Sequence, residues 1–264
     1  MIICLLIFVI LIIFVFLIKQ NENYDNKEIQ KNNLEKSNFK KFKETLEIYK
    51  RKKYILLFTS GPTLKEFKKK DIPQHVWDDC YIICLKNSIN YIDKLNIKSD
   101  FLVTNFVGAA ETLDEKLIDK HKPLFIGLNY GIIERLKDKI DFMVNLNFKN
   151  NYMENVKNNI NDIYFKNKDN KIYTGWGHIM MELAIPLCLE LKPENIVTIG
   201  WDVKNSKKYW NKETFSIFWQ DENNIINDFS VNLHNFLKKN HNINIYKLSS
   251  KSGVKIPLVD LNKI

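Results

Sequence analysis

Tyr54–Leu64 reads Y-I-L-L-F-T-S-G-P-T-L, apolar in its first half and broken in its second. Tyr54 to Phe58 is long enough for a buried strand, and Thr59, Ser60, Gly61 and Pro62 end it before an amphipathic segment opens at Leu64. Strand, small-residue turn and helix in that order bring unsatisfied backbone N–H groups and the positive end of a helix dipole to one point, which suits a phosphate. Pro62 fits a first helical turn, where its missing N–H costs nothing. Neither standard phosphate-loop motif, G-x-x-x-x-G-K-[ST] or G-x-G-x-x-G, is present.

The pattern recurs along the chain. Cys80–Leu85 runs into Lys86, Asn87 and Ser88, Phe101–Thr104 into Asn105, Leu124–Gly127 toward Asn129, and Ile196–Ile199 into Gly200, Trp201 and Asp202. Polar residues at the carboxyl ends of strands lie where open parallel sheets bind ligands. Such strands alternating with helices predict a doubly wound, mostly parallel α/β sheet of the Rossmann-like kind with right-handed crossovers. A helix at Ile89–Leu95, a last helix at Phe229–Asn240, a last strand at Ile243–Leu248 and a tail from Gly253 to Ile264 complete the plan. Thr174 is placed to cap a long helix whose apolar face holds Ile179, Leu183, Leu187 and Leu191, with Pro186 kinking or restarting it. Gly175 and Gly177 admit a ligand close to the backbone, and His178, alone in that first turn, reads as structural. Asp138–Asp169, dense in Asn, Lys and aromatics, is either a lid over the site or a surface excursion, and Asn205–Asn227 is a loop over the site.

A chain of 264 residues with 45% hydrophobic content can bury one large core, so 39–264 is expected to be a single α/β domain. Met1–Ile18 carries no charge and is just long enough to cross a bilayer, making 1–18 a transmembrane anchor and the polar, Asn-rich 19–38 a stalk. A cleaved signal peptide would need a basic start and a small-residue cleavage site, and both are missing. Lys19, Lys27, Lys31 and Lys36 follow the span and favour a cytoplasmic domain, whereas many anchored eukaryotic enzymes face the lumen, so the side stays open. The net charge of +9 comes from lysines dispersed among Asn and Ile, without an Arg-rich or aromatic-interleaved stripe, and predicts no nucleic-acid partner. Cys80 and Cys84 would stand about 13 Å apart on one strand, so free thiols are expected, and no His/Cys cluster suggests a metal.

Taken together, G-P-T-L after the first strand, an amide after the second, T-G-x-G opening a helix at Thr174 and an apolar strand closing in G-W-D resemble the bacterial sialyltransferases of glycosyltransferase family 42 and the related motility-associated glycosyltransferases. Those carry G-N-G-P-S-L, R-C-N, T-S-G and S-G-I-D-F-Y, and the resemblance covers about Tyr54 to Leu248. It implies the glycosyltransferase A variant of the fold and an inverting transfer, without metal or other cofactor, of sialic acid or a similar acidic sugar from a CMP-linked donor to a glycan or glycolipid acceptor.

By position, Ser60, Gly61, Pro62 and Thr63 match the family's nucleotide-binding turn, Asn87 and Asn105 its amides after the second and third strands, Thr174 and Gly175 the turn near the donor, and Asp202 its aspartate. Ser60 stands where the family has asparagine. The family's two phosphate-binding tyrosines correspond to Lys204, usable as a point charge, and to a position close to Tyr209. Its histidine base has no counterpart between Asp202 and His234; Asp221 or Glu222 falls there and would need burial to raise its pKa, the alternative being solvated loop carboxylates. Two other readings compete. One is a pterin pyrophosphokinase-like transferase, which shares a G-P-S-L turn but needs magnesium and clustered acids. The other is a degenerate, membrane-tethered binding protein, favoured by the missing histidine and opposed by the retained amides and Asp202.

Overall fold

The computed structural model describes residues 41–104, 113–128, 134–146, 173–174, 180–202 and 219–264. The chain divides into two compact units, Met1–Thr45 with Lys168–Lys171, and Leu46–Asn167 with Ile172–Ile264. The expected anchor and stalk, 1–38, lie outside the described residues. Among the described residues no helix is long and apolar enough to cross a membrane.

The second unit is built on an eight-stranded sheet, all parallel, in the order β6-β5-β4-β3-β2-β1-β7-β8. Its strands are β1 Tyr54–Phe58, β2 Cys80–Leu85, β3 Phe101–Thr104, β4 Leu124–Leu128, β5 Phe142–Leu146, β6 Tyr173–Thr174, β7 Asn195–Ile199 and β8 Asn244–Lys247. All five residues of β1 are buried, as an unbroken apolar run predicts for a strand covered on both faces. From β1 the chain winds outward through β2 to β6, then crosses back to place β7 on the other side of β1. With right-handed crossovers, that reversal puts the helices of the two halves on opposite faces and opens a crevice at the carboxyl ends of β1 and β7.

The helices are α1 at residues 41–47, then α2 Gln74–Asp78, α3 Ser88–Lys94, α4 Glu115–His121, α5 Ile185–Leu191 and α6 Trp219–His241. Leu64, Phe67, Val76, Ile89, Ile92 and Ile118 share a buried cluster with Leu56, Phe58, Cys84 and Leu102 of the central strands. At the amino edge two aspartates do the same work. Asp100 Oδ2 accepts from Ile82 N at 2.8 Å, and Asp141 Oδ2 accepts from Phe125 N at 2.8 Å, each tying the start of one strand to its neighbour. His121, buried in α4, is fixed at both ring nitrogens. Its Nδ1 accepts from Ser99 N at 3.0 Å, so Nε2 carries the proton toward Asp93 Oδ1 at 2.9 Å.

Several sequence expectations need correction. Two further strands, β5 and β6, belong to the sheet; β5 falls inside 138–169, which reads as irregular because Phe142, Met143 and Val144 are followed at once by Asn145. Thr174 ends β6, where it pairs with Leu146, and the start of the helix it is expected to cap lies outside the described residues up to 179. A π-type turn, Met180–Ala184, precedes α5, and Pro186 falls in the first turn of α5, where it restarts the helix as expected, having no N–H for the carbonyl four residues back. Helix α6 begins at Trp219, ten residues before the expected start at Phe229, because the helical spacing of the later apolar residues overrides the weak propensity of its Asp and Asn. The tail is also packed. Val254, Ile256 and Leu261 are buried, Leu258 bridges to Lys247, and Tyr54 OH donates to Ile264 O at 2.8 Å.

Candidate functional site

The turns after β1 and β7 meet at the switch point. Thr59 N–H donates to Ile199 O at 2.8 Å and Gly61 N–H to Gly200 O at 2.9 Å, so the pairing of the two strands continues past their ends. Here Gly61 must be glycine: a Cβ would lie 2.2 Å from Gly200 O and 2.6 Å from Asp202 Oδ2. Gly200, at φ +79, turns the chain in the left-handed region, and a Cβ there would lie 2.8 Å from Thr59 O.

Asp202 closes the junction. Its Oδ2 accepts from Thr63 N at 2.7 Å and its Oδ1 from Thr63 Oγ1 at 2.8 Å. Burial raises the pKa of this carboxyl, the two bonds from Thr63 oppose the rise, and Glu66 adds to it. Thr63 N–H is therefore held by Asp202, Leu64 N–H donates to Gly61 O at 3.1 Å, and Pro62 has no N–H. The segment Pro62–Glu66 is one short 3-10 turn and not the opening of an α-helix, and its amides at Thr63 and Leu64 face protein oxygens.

A second stitch joins β1 to β2. Ser60 Oγ donates to Leu85 O at 3.1 Å, and Ser88 Oγ donates to Phe58 O at 3.0 Å, so each strand's last carbonyls are capped from the other's turn. Asn87 is fully buried at the N-cap position of α3. Between these lies Lys86, which sequence reasoning passed over as a flank of Asn87. Its backbone sits in the left-handed region at φ 55, its N–H donates to Val103 O at 2.9 Å, and the residue is half-buried. Burial pushes its ammonium down to about 8. The signal available in the sequence was a cation set directly on the end of an apolar central strand, I-I-C-L-K.

The structure thus brings Ser60, Gly61, Pro62, Thr63, Asn87 and Asp202 to the carboxyl ends of β1, β2 and β7. Asn105, Gly175, Lys204 and Tyr209 lie outside the described residues, as does the side chain of Thr174. Asp221 and Glu222 fall on the first turns of α6, not on a loop, with side chains outside the described set. Among the described residues no three His, Cys, Asp or Glu side chains converge as metal ligands, and Cys80, Cys84 and Cys188 are free thiols.

No model of a known protein family matches this chain, and no curated protein sequence matches it. Among solved structures, the fold is similar to that of the MAf glycosyltransferase from Magnetospirillum magneticum AMB-1, at 12% identity and a TM-score of 0.50 over 81% of this chain. The match covers 34% of that protein, so the chain spans about a third of its length.

Proposed function

We propose that the protein is a glycosyltransferase that binds a nucleotide-sugar donor in the crevice between β1 and β7 and passes the sugar to a glycan or glycolipid acceptor. The observation that carries this reading is the convergence of the Ser60–Thr63 turn and Asp202 at the switch point of the sheet, where open α/β folds hold nucleotides. The fold likeness to a protein described as a glycosyltransferase supports the same class. In its finer form the proposal takes a CMP-linked sialic acid or similar acidic sugar as donor, with inversion and without a metal. Lys204 and Tyr209 would steady the leaving phosphate and Asp221 or Glu222 would deprotonate the acceptor hydroxyl. The first residues, 1–18, would hold the enzyme at a membrane.

Thermal unfolding of the protein with CMP, UDP, GDP and ATP, each with and without EDTA, tests the proposal. A nucleotide at about 100 times its dissociation constant adds about 2.7 kcal/mol to the folded state. Stabilisation by CMP that EDTA leaves intact is the expected result. Magnesium-dependent stabilisation by ATP alone would replace it with a pyrophosphokinase-like reaction, and no response to any of the four would replace it with a binding role.

A further inference from the structure

In the turn after β1 the amides of Gly61, Thr63 and Leu64 are already held by protein oxygens, and Pro62 has none to offer. Gly61 and Thr63 donate to Gly200 O and Asp202, Leu64 donates back to Gly61 O, and the Asp202 carboxylate itself adds negative charge at the spot. A phosphate bound beside these occupied amides and the Asp202 carboxylate is favoured by a side-chain cation, and the described carboxyl edge of the central strands supplies Lys86. Phe58 pairs with Cys84, and Ser60 and Lys86 each stand two residues further on, just past the ends of β1 and β2. Neighbouring parallel strands run about 5 Å apart, so the two residues flank the same short stretch of rim.

Lys86 also carries two features that disfavour the fold. A lysine in the left-handed region is uncommon, and its partly buried ammonium has no carboxylate partner among the described residues. Costs of this kind concentrate where a ligand later supplies the missing charge.

We infer that the Lys86 ammonium binds the phosphate that links nucleoside to sugar in the donor. The inference rests on the proposed nucleotide-sugar reading, and goes beyond it by naming the group that recognises the donor's charge. On departure of the sugar, the same contact would stabilise the phosphate of the released nucleoside monophosphate.

Two measurements on the full chain separate this inference from the reading beneath it. In the first, CMP and cytidine are titrated by calorimetry into the wild type, Lys86→Met and Lys86→Arg. In the second, lysines of the wild type are labelled with pyridoxal 5′-phosphate and borohydride, with and without inorganic pyrophosphate, and mapped by mass spectrometry. The inference expects CMP to bind at least tenfold more weakly to Lys86→Met, close to the level of cytidine, with Lys86→Arg within threefold of wild type. It also expects pyrophosphate to protect Lys86 from labelling. Equal CMP affinity in wild type and Lys86→Met overturns the inference and leaves the nucleotide-sugar reading standing. Failure of the wild type to bind CMP, with Lys86 still protected by pyrophosphate, keeps Lys86 as an anion-binding group and removes the CMP donor. Absence of both binding and protection overturns both.

Discussion

Asp202 holds Thr63 with both of its carboxylate oxygens, one on the backbone N–H at 2.7 Å and one on the hydroxyl at 2.8 Å. The threonine of G-P-T-L and the aspartate of G-W-D thus form one structural unit across 139 residues of chain. Thr63→Val keeps the shape and removes one charge-assisted bond, at an expected cost of about 1–2 kcal/mol in urea unfolding, while Thr63→Ser recovers most of it. Asp202→Ala strands the Thr63 amide as well, and should cost about 2–4 kcal/mol. A Thr63→Val protein with wild-type stability would show that the hydroxyl half of the clamp contributes nothing.

Gly61 is required by backbone contact. The nearest obstacle to a Cβ is Gly200 O at 2.2 Å, an atom fixed by the pairing of β1 with β7, so side-chain relaxation cannot relieve it. Gly61→Ala should lower stability by about 3 kcal/mol or more, or leave little folded protein, as judged by circular dichroism and urea midpoint. Recovery of the wild-type midpoint would mean that the two turns part easily.

How much of this was legible in the sequence depended on how each element is stabilised. β1, β2, β3 and β7 could be read because strands buried on both faces must be unbroken apolar runs, and their observed bounds fall within a residue of the expected ones. β5 and β6 escaped because β5 carries Asn145 and β6 is only two residues long, so they are strands only through their neighbours, β4 for β5 and β5 for β6. The convergence of the Ser60–Thr63 turn with Asp202 was legible as a position in the fold, since both close apolar strands. That Thr63 and Asp202 bind each other was not, because a hydrogen bond across 139 residues leaves no local pattern. Lys86 was in plain view, but its backbone angle and its want of a carboxylate partner among the described residues exist only in three dimensions.

The paired aspartates at the amino edge did leave a trace in the sequence, K-S-D-F at 98–101 and K-I-D-F at 139–142. Each side chain accepts a backbone N–H of the adjacent strand. Asp100→Ala should cost about 1–3 kcal/mol and Asp100→Asn, whose amide oxygen can still accept from Ile82, less than half of that. Asp141 is exposed, so Asp141→Ala should cost less than Asp100→Ala. The reverse order would show that solvent exposure does not set the value of these bonds.

The alkaline limb of stability brings the thiols and Lys86 into opposition. Burial raises Cys80 and Cys84 from 9.0 to about 12 and raises Cys188 further, so all three keep their protons when folded. Once unfolded they ionise near pH 9, and each therefore removes up to about 1.4 kcal/mol per pH unit as the pH climbs from there. Lys86 runs the other way. Its folded pKa of about 8 lies below the ordinary 10.5, so the stability tied to its neutral form is present above 10.5 and is lost as the pH falls through 8. Up to about pH 8 the Lys86 difference dominates and stability should rise; near 8.5 the partial ionisation of the three unfolded thiols balances it, and above 9 the thiols outweigh it and stability should fall. Urea midpoints taken between pH 7 and 10.5 should thus peak between about 8 and 9. Lys86→Met should erase the rise below the peak and steepen the fall above it, while Cys84→Ala should flatten the fall. A midpoint that keeps rising to pH 10.5 in the wild type would show that the buried thiols ionise within the fold.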